Sequence, residues 1–227
     1  MRSERMNKKS VPRVIDLSHF IEDHMPVFPG TPAARIKTLA DLPEQGFREK
    51  AIALTSHTGT HLDVPAHIVK QGATLDDFPL TALMGRACLV EADVQTDLRI
   101  SFASLSGLPE KGNCDFILLK TGWAQKWGSD AYFTVSPFLD EAFARQLTTL
   151  GLKGIGIDFP SVDAIDSRDL PVHKILLGAR LVIMENLCCL EKLSVPVFTL
   201  IAFPLKIRQG DGAPARVAAL LDPEEAR

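Results

Sequence analysis

Three of the chain's six histidines and one carboxylate fall within the stretch Ser56-His57-Thr58-Gly59-Thr60-His61-Leu62-Asp63-Val64-Pro65-Ala66-His67. Imidazole and carboxylate are the ordinary protein ligands of Zn²⁺, Mn²⁺ and Fe²⁺. A site with three or four protein ligands keeps room for water, which is the arrangement of a catalytic ion rather than a closed structural one. The bland alternative is a set of unrelated core or surface histidines. Clustering three of them around an aspartate argues against it.

The ligands need elements to hold them. His57 and His61 are four apart, the spacing of one helix face. However, Thr58, Gly59, Thr60 and Pro65 are all poor in helix interiors. The expected conformation is a tight turn at Gly59 running into extended chain. Side chains two apart on extended chain face the same way, so His61 and Asp63 share a face. Val64 is kept extended by the proline after it. Pro65 is expected to prolong the extended chain, and His67 to return to the same cavity. Gly59 supplies a positive φ or a close backbone approach.

The run His57-Thr-Gly-Thr-His61-Leu-Asp63-Val-Pro65-Ala-His67 resembles the HxGTHxDxPxH signature of the metal-dependent cyclase family. That family includes bacterial kynurenine formamidases (arylformamidases) and isatin hydrolases. The resemblance runs from about Ile15 to Leu221. It implies His57, His61 and Asp63 as ligands of one ion and Asp63, His173 and Glu185 as ligands of a second, with Asp63 bridging. It implies His67 as the catalytic acid/base. The implied cofactor is Zn²⁺, one or two ions, with Mn²⁺ as the alternative. The implied reaction is hydrolysis of a small-molecule amide or related carbonyl compound, N-formylkynurenine first among them. Alternative readings are hydrolysis of a cyclic amide or lactone of the isatin type, a cyclase or dehydratase step, and a non-catalytic metal-binding protein. The implied assembly is a homodimer or homotetramer.

The loop Met25-Pro-Val-Phe-Pro-Gly-Thr-Pro32 places Val27 and Phe28 where they line a substrate pocket or pack on a sheet edge. Phe28 stands where formamidases often carry Trp, and Thr31 where many members carry Asp. Asp115-Phe-Ile-Leu-Leu-Lys120 reads as a strand buried on both faces, ending in Thr121-Gly-Trp123. Trp123 is expected in the core with one face on the pocket, and Trp127 as a packing residue. Strands are also expected over Val14–Leu17, Arg35–Leu39, Lys50–Thr55 and Arg86–Val94, the third delivering the metal motif at its end. Ser136-Pro137 is expected to open the clearest helix, ended by Gly151. Asp158 and Asp163, in a segment resembling the family's GIDxPSxD, are expected either to orient ligands or to cap turns.

The strand-rich pattern predicts an α/β domain with a mixed sheet or barrel-like core. The resemblance implies the swivelling β/β/α cyclase-type architecture. One catalytic domain is expected over residues 14–221, between a flexible basic arm, 1–13, and a loose acidic tail, 222–227. A net charge of −3 gives no electrostatic footing for nucleic acid. No apolar run approaches the roughly 18 residues of a membrane span. Cys88, Cys114, Cys188 and Cys189 form no C-x-x-C pair and read as thiols in a reducing cytoplasm.

Overall fold

The computed structural model describes residues 12–222. The expected arm and tail lie outside them, save for residues 12, 13 and 222. The strands are β1 (Arg13–Asp16), β2 (Arg35–Ala40), β3 (Glu49–Ala53), β4 (His61–Asp63), β5 (Met84–Glu91), β6 (Arg99–Ile100), β7 (Phe116–Lys120), β8 (Phe138–Leu139), β9 (Gly154–Ile157), β10 (Val182–Glu185), β11 (Val197–Pro204) and β12 (Gly212–Leu221). The helices are α1 (Leu42–Gln45), α2 (Ala131–Thr134), α3 (Glu141–Leu147) and α4 (Pro171–Gly178).

The main sheet runs β12-β11-β5-β7-β9-β10-β4, and β4 pairs back onto β12, closing a barrel. β5, β7, β9 and β10 are parallel neighbours, and the remaining pairings are antiparallel. The expected mixed, barrel-like sheet is therefore present. Alternation along β7 explains its unbroken apolar run. Phe116 and Leu118 join the cluster inside the barrel, with Leu62, Met184, Leu200 and Val217. Ile117 and Leu119 point the other way, into a second cluster with Phe143 and Leu147 of α3 and Val172 and Leu176 of α4. The sheet thus has apolar contents on both faces. Gly156 of β9 makes room in the barrel, since a Cβ there would meet the side chains of Leu118 and Leu187 at 2.4 and 2.6 Å.

Three sequence expectations are corrected. The strand near Lys50–Thr55 is β3, which pairs with β2 in a separate two-stranded ribbon; the motif's own strand is β4, the barrel's closing strand. The helix expected from Ser136 begins at Glu141. Phe138 and Leu139 are drawn into a parallel pairing with Arg99 and Ile100, and the N-cap is Asp140, whose carboxylate accepts from Phe143 N at 2.6 Å. Val64 is extended as expected, but Pro65 starts a 3-10 turn, Pro65–His67, rather than prolonging the strand. Proline suits a first helical position because its missing N–H would have had no partner there.

Candidate metal centre and active site

Barrel closure sets the geometry. β4 is wedged between β10 and β12, with His61 opposite Glu185 and Asp63 opposite Gly212 in the two registers. Leu62 points into the barrel, so His61 and Asp63 point out of it, on the side where α4 packs. Gly59 has φ +66° and makes the turn that brings His57 back over this face. Its carbonyl accepts from His61 Nδ1 at 2.9 Å and from Asn186 Nδ2 at 2.9 Å. Asn186 has φ +57°, a conformation asparagine tolerates better than most residues. Its side-chain oxygen accepts from Tyr132 Oη, and its backbone oxygen from Thr60 Oγ1. This network pins the turn to the end of β10.

His57, His61, Asp63, His67, His173 and Glu185 converge on one cleft of about 290 Å³. His57 Nδ1 lies 2.6 Å from Asp63 Oδ1, and His61 Nε2 lies 3.3 Å from the same oxygen and 3.5 Å from Glu185 Oε2. His173 Nε2, on α4, is 3.7 Å from Asp63 Oδ2 and 3.4 Å from Glu185 Oε1. Donor atoms of His57, Asp63 and His67 form one group within 4.8 Å of one another, and those of His61, Asp63 and Glu185 form another. Asp63 belongs to both.

The donor set fits a divalent cation. Ligands bonded at about 2.0–2.1 Å around a tetrahedral ion stand roughly 3.3 Å apart, close to most of the separations above. Asp63 is 1% exposed, and its Oδ2 has no hydrogen-bond partner among the described residues. Leaving such an oxygen unpaired costs about 1–3 kcal/mol or more, a penalty that a bound cation removes. Each ring is also held from behind. His173 Nδ1 is 2.7 Å from Asp163 Oδ2, which accepts from the His173 backbone N–H as well.

Electrostatics follow from burial and charge. Burial disfavours a charged His57, but the Asp63 and Asp211 carboxylates outweigh it and push its pKa up to about 9. Burial also opposes ionisation of Asp63, yet the imidazoles of His61, His173 and His57 hold it well below the usual carboxylate range. His67 moves the opposite way: burial, opposed by Asp63 and aided by the charges of His57 and His173, lowers its pKa. The same burial that opposes a charge on His67 favours its neutral form, which has a lone pair free to accept a proton.

The cleft's outer wall is apolar. Phe28 lines it, with Val27, Phe133 and Leu170. Phe28 and Phe133 meet edge to face with centroids 6.2 Å apart. Trp123 does not line it. That ring packs on the outer core, donates Nε1–H to Tyr132 O at 3.3 Å and carries Lys126 over its face. Trp127 packs as expected, stacked on His19 at 3.9 Å. Asp158 caps a turn, accepting from the Thr121 and Gly122 amides, whereas Asp163 orients His173. No role for Asp211, Asn186 or Phe133 was legible in the sequence, although Asn186 follows Glu185 directly and Asp211 lies in a glycine-flanked loop. Asp211 gave no local signal beyond its flanking glycines.

Residues 15–164 match the profile of the Cyclase family. This chain belongs to that family. A kynurenine formamidase from Salinibacter ruber (strain DSM 13855 / M31) is 33% identical over 209 residues, covering 89% of this chain and 95% of the relative. A solved potential metal-dependent hydrolase with cyclase activity superposes with TM-score 0.77 at 31% identity, over 92% of this chain and 98% of that one. Isatin hydrolase A from Labrenzia aggregata, solved with benzyl benzoate, gives TM-score 0.78 at 25% identity, over 93% and 94%. Among the described residues no helix is long and apolar enough to cross a membrane, and the four cysteines are free.

Proposed function

We propose that this protein hydrolyses an N-formyl aryl amine, with N-formylkynurenine the first substrate to test. The chain is a metal-dependent amide hydrolase of the cyclase family. The finer substrate rests on the kynurenine formamidase relative and on the aromatic wall of Phe28 and Phe133 beside the donor cluster. The observation that carries the reading is Asp63, shared by both donor groups in that cleft, with one buried oxygen that has no hydrogen-bond partner among the described residues.

His57, His61, Asp63, His173 and Glu185 would hold the cation, with Asp63 between two ions where two are bound. Zn²⁺ suits this imidazole–carboxylate set, and Mn²⁺ is the alternative. When bound there, a divalent ion lowers the pKa of water from about 15.7 toward 7 and polarises a carbonyl. His67 acts as the base: it takes the proton of the water whose oxygen bonds to the formyl carbon. As the C–N bond breaks, it passes that proton to the leaving aryl nitrogen, giving formate and the aryl amine. Such acid–base help contributes about 10²–10⁴-fold. Phe28 and Phe133 hold the aryl ring over the cluster. A homodimer or homotetramer in a reducing cytoplasm completes the reading.

The test is elemental analysis of the purified protein followed by assay on N-formylkynurenine, formanilide and isatin. Formamide cleavage with stoichiometric zinc or manganese supports the reading. Turnover of isatin alone transfers it to cyclic amides, which the isatin hydrolase neighbour makes the second choice.

A further inference from the structure

Each buried imidazole of the cluster turns one nitrogen to the cavity and the other to an anchored acceptor. For His61 the anchor is Gly59 O, and for His173 it is Asp163. His57 follows the same pattern with a partner 154 positions away. Its Nδ1 faces Asp63, and its Nε2 lies 2.9 Å from Asp211 Oδ2. The same oxygen stands 3.7 Å from His67 Nδ1 and 3.4 Å from Ser56 Oγ. The His57 and His67 rings lie 4.0 Å apart, tilted by 39°. One carboxylate oxygen therefore addresses both rings.

The loop that carries Asp211 is stitched in place. Asp211 O accepts from Val64 N at 3.2 Å, and Gly210 O from Leu75 N at 2.9 Å. At Gly212 a Cβ would come 2.8 Å from His57 Cε1 and 2.7 Å from Leu62 O, so the backbone itself is pressed against the ligand ring. Asp211 remains 44% exposed at its side chain, unlike the buried Asp163.

We propose that Asp211 is the positioning residue of this centre. Its carboxylate holds the His57 ring with Nε2–H outward and the Nδ1 lone pair toward the cation, and steadies the neighbouring His67. This rests on the reading of His57 as a metal ligand. Orienting partners of this type typically change metal affinity by about 10–100-fold. Asp211 is in neither donor group and is not among the residues lining the cleft, so its effect passes through the two histidines.

The experiment compares the full-length wild type with Asp211→Ala, Asp211→Asn and, as an internal standard, Asp163→Asn. Zn²⁺ affinity is read by chelator competition, Co²⁺ coordination by its visible spectrum, and folding by the melting temperature of metal-free protein. Expected results are a roughly 10–100-fold weaker Zn²⁺ site in Asp211→Ala, a smaller loss in Asp211→Asn, an altered Co²⁺ spectrum, and unchanged metal-free melting. The assignment is overturned if Zn²⁺ affinity and the Co²⁺ spectrum match wild type while Asp163→Asn weakens binding. It is equally overturned if the metal-free melting temperature drops enough to account for the whole loss. Wild-type protein that binds neither ion overturns the underlying metal reading instead.

Discussion

Asp163 holds His173 by two atoms at once: its Oδ2 lies 2.7 Å from the ring Nδ1 and 3.0 Å from the backbone N. Its other oxygen takes the Val172 amide at 2.9 Å. The residue that secures the start of α4 thereby aims His173 Nε2 at Asp63 and Glu185. Asp163→Asn keeps the size but loses the charge and half of the acceptor capacity. Zn²⁺ affinity should fall about 10–100-fold, read by chelator competition.

Asp63 and His67 should separate binding from chemistry. Asp63→Ala removes the carboxylate common to both donor groups, so metal content after dialysis should fall to background. His67→Ala should retain metal and lose about 10²–10⁴-fold in kcat. Elemental analysis beside steady-state kinetics checks both, and full turnover in metal-loaded His67→Ala would refute the base assignment.

The aromatic wall should appear in KM. Phe28→Ala and Phe133→Ala each remove one partner of an edge-to-face pair worth about 0.5–1.5 kcal/mol beyond its area. KM for aryl formamides should rise roughly 3- to 10-fold with kcat little changed. Equal losses for formamide and for aryl formamides would show that the rings do not contact the aryl group.

His19 makes stability pH-dependent away from the metal cluster. Its half-buried ring stacks on Trp127, its Nε2 has no hydrogen-bond partner among the described residues, and burial lowers its pKa to about 4. Above pH 6.5 the ring is neutral in both states, and its full contribution is present. Below 6.5 the unfolded chain binds a proton that the folded chain refuses until about pH 4. Stability is therefore lost as pH falls through that window. Allowing for solvent screening of a partly exposed ring, the loss is on the order of 1–2 kcal/mol. Urea unfolding of metal-free wild type and His19→Phe at pH 7 and pH 4.5 checks it: the variant should lose less.

The turn at Gly59 and the shared face of His61 and Asp63 were legible because both are local. A glycine permits φ +66°, and a two-residue period puts two side chains on one side of a strand. The helix start was misplaced because Ser136 and Asp140 are both good caps, and only the pairing of Phe138 and Leu139 with Arg99 and Ile100 decides between them. Trp123 carried an aromatic signal that says nothing of which way the ring turns after Gly122.

Residue types and spacing alone settled that this chain carries a metal-type donor set on an extended segment, since ligand chemistry and strand periodicity act over a few residues. Only the closed barrel decided which distant groups complete it. β4 meets β10 and β12 across gaps of more than a hundred residues, placing Glu185 opposite His61 and the Asp211 loop against His57. Contacts of that range depend on strand order and register, which no local pattern encodes.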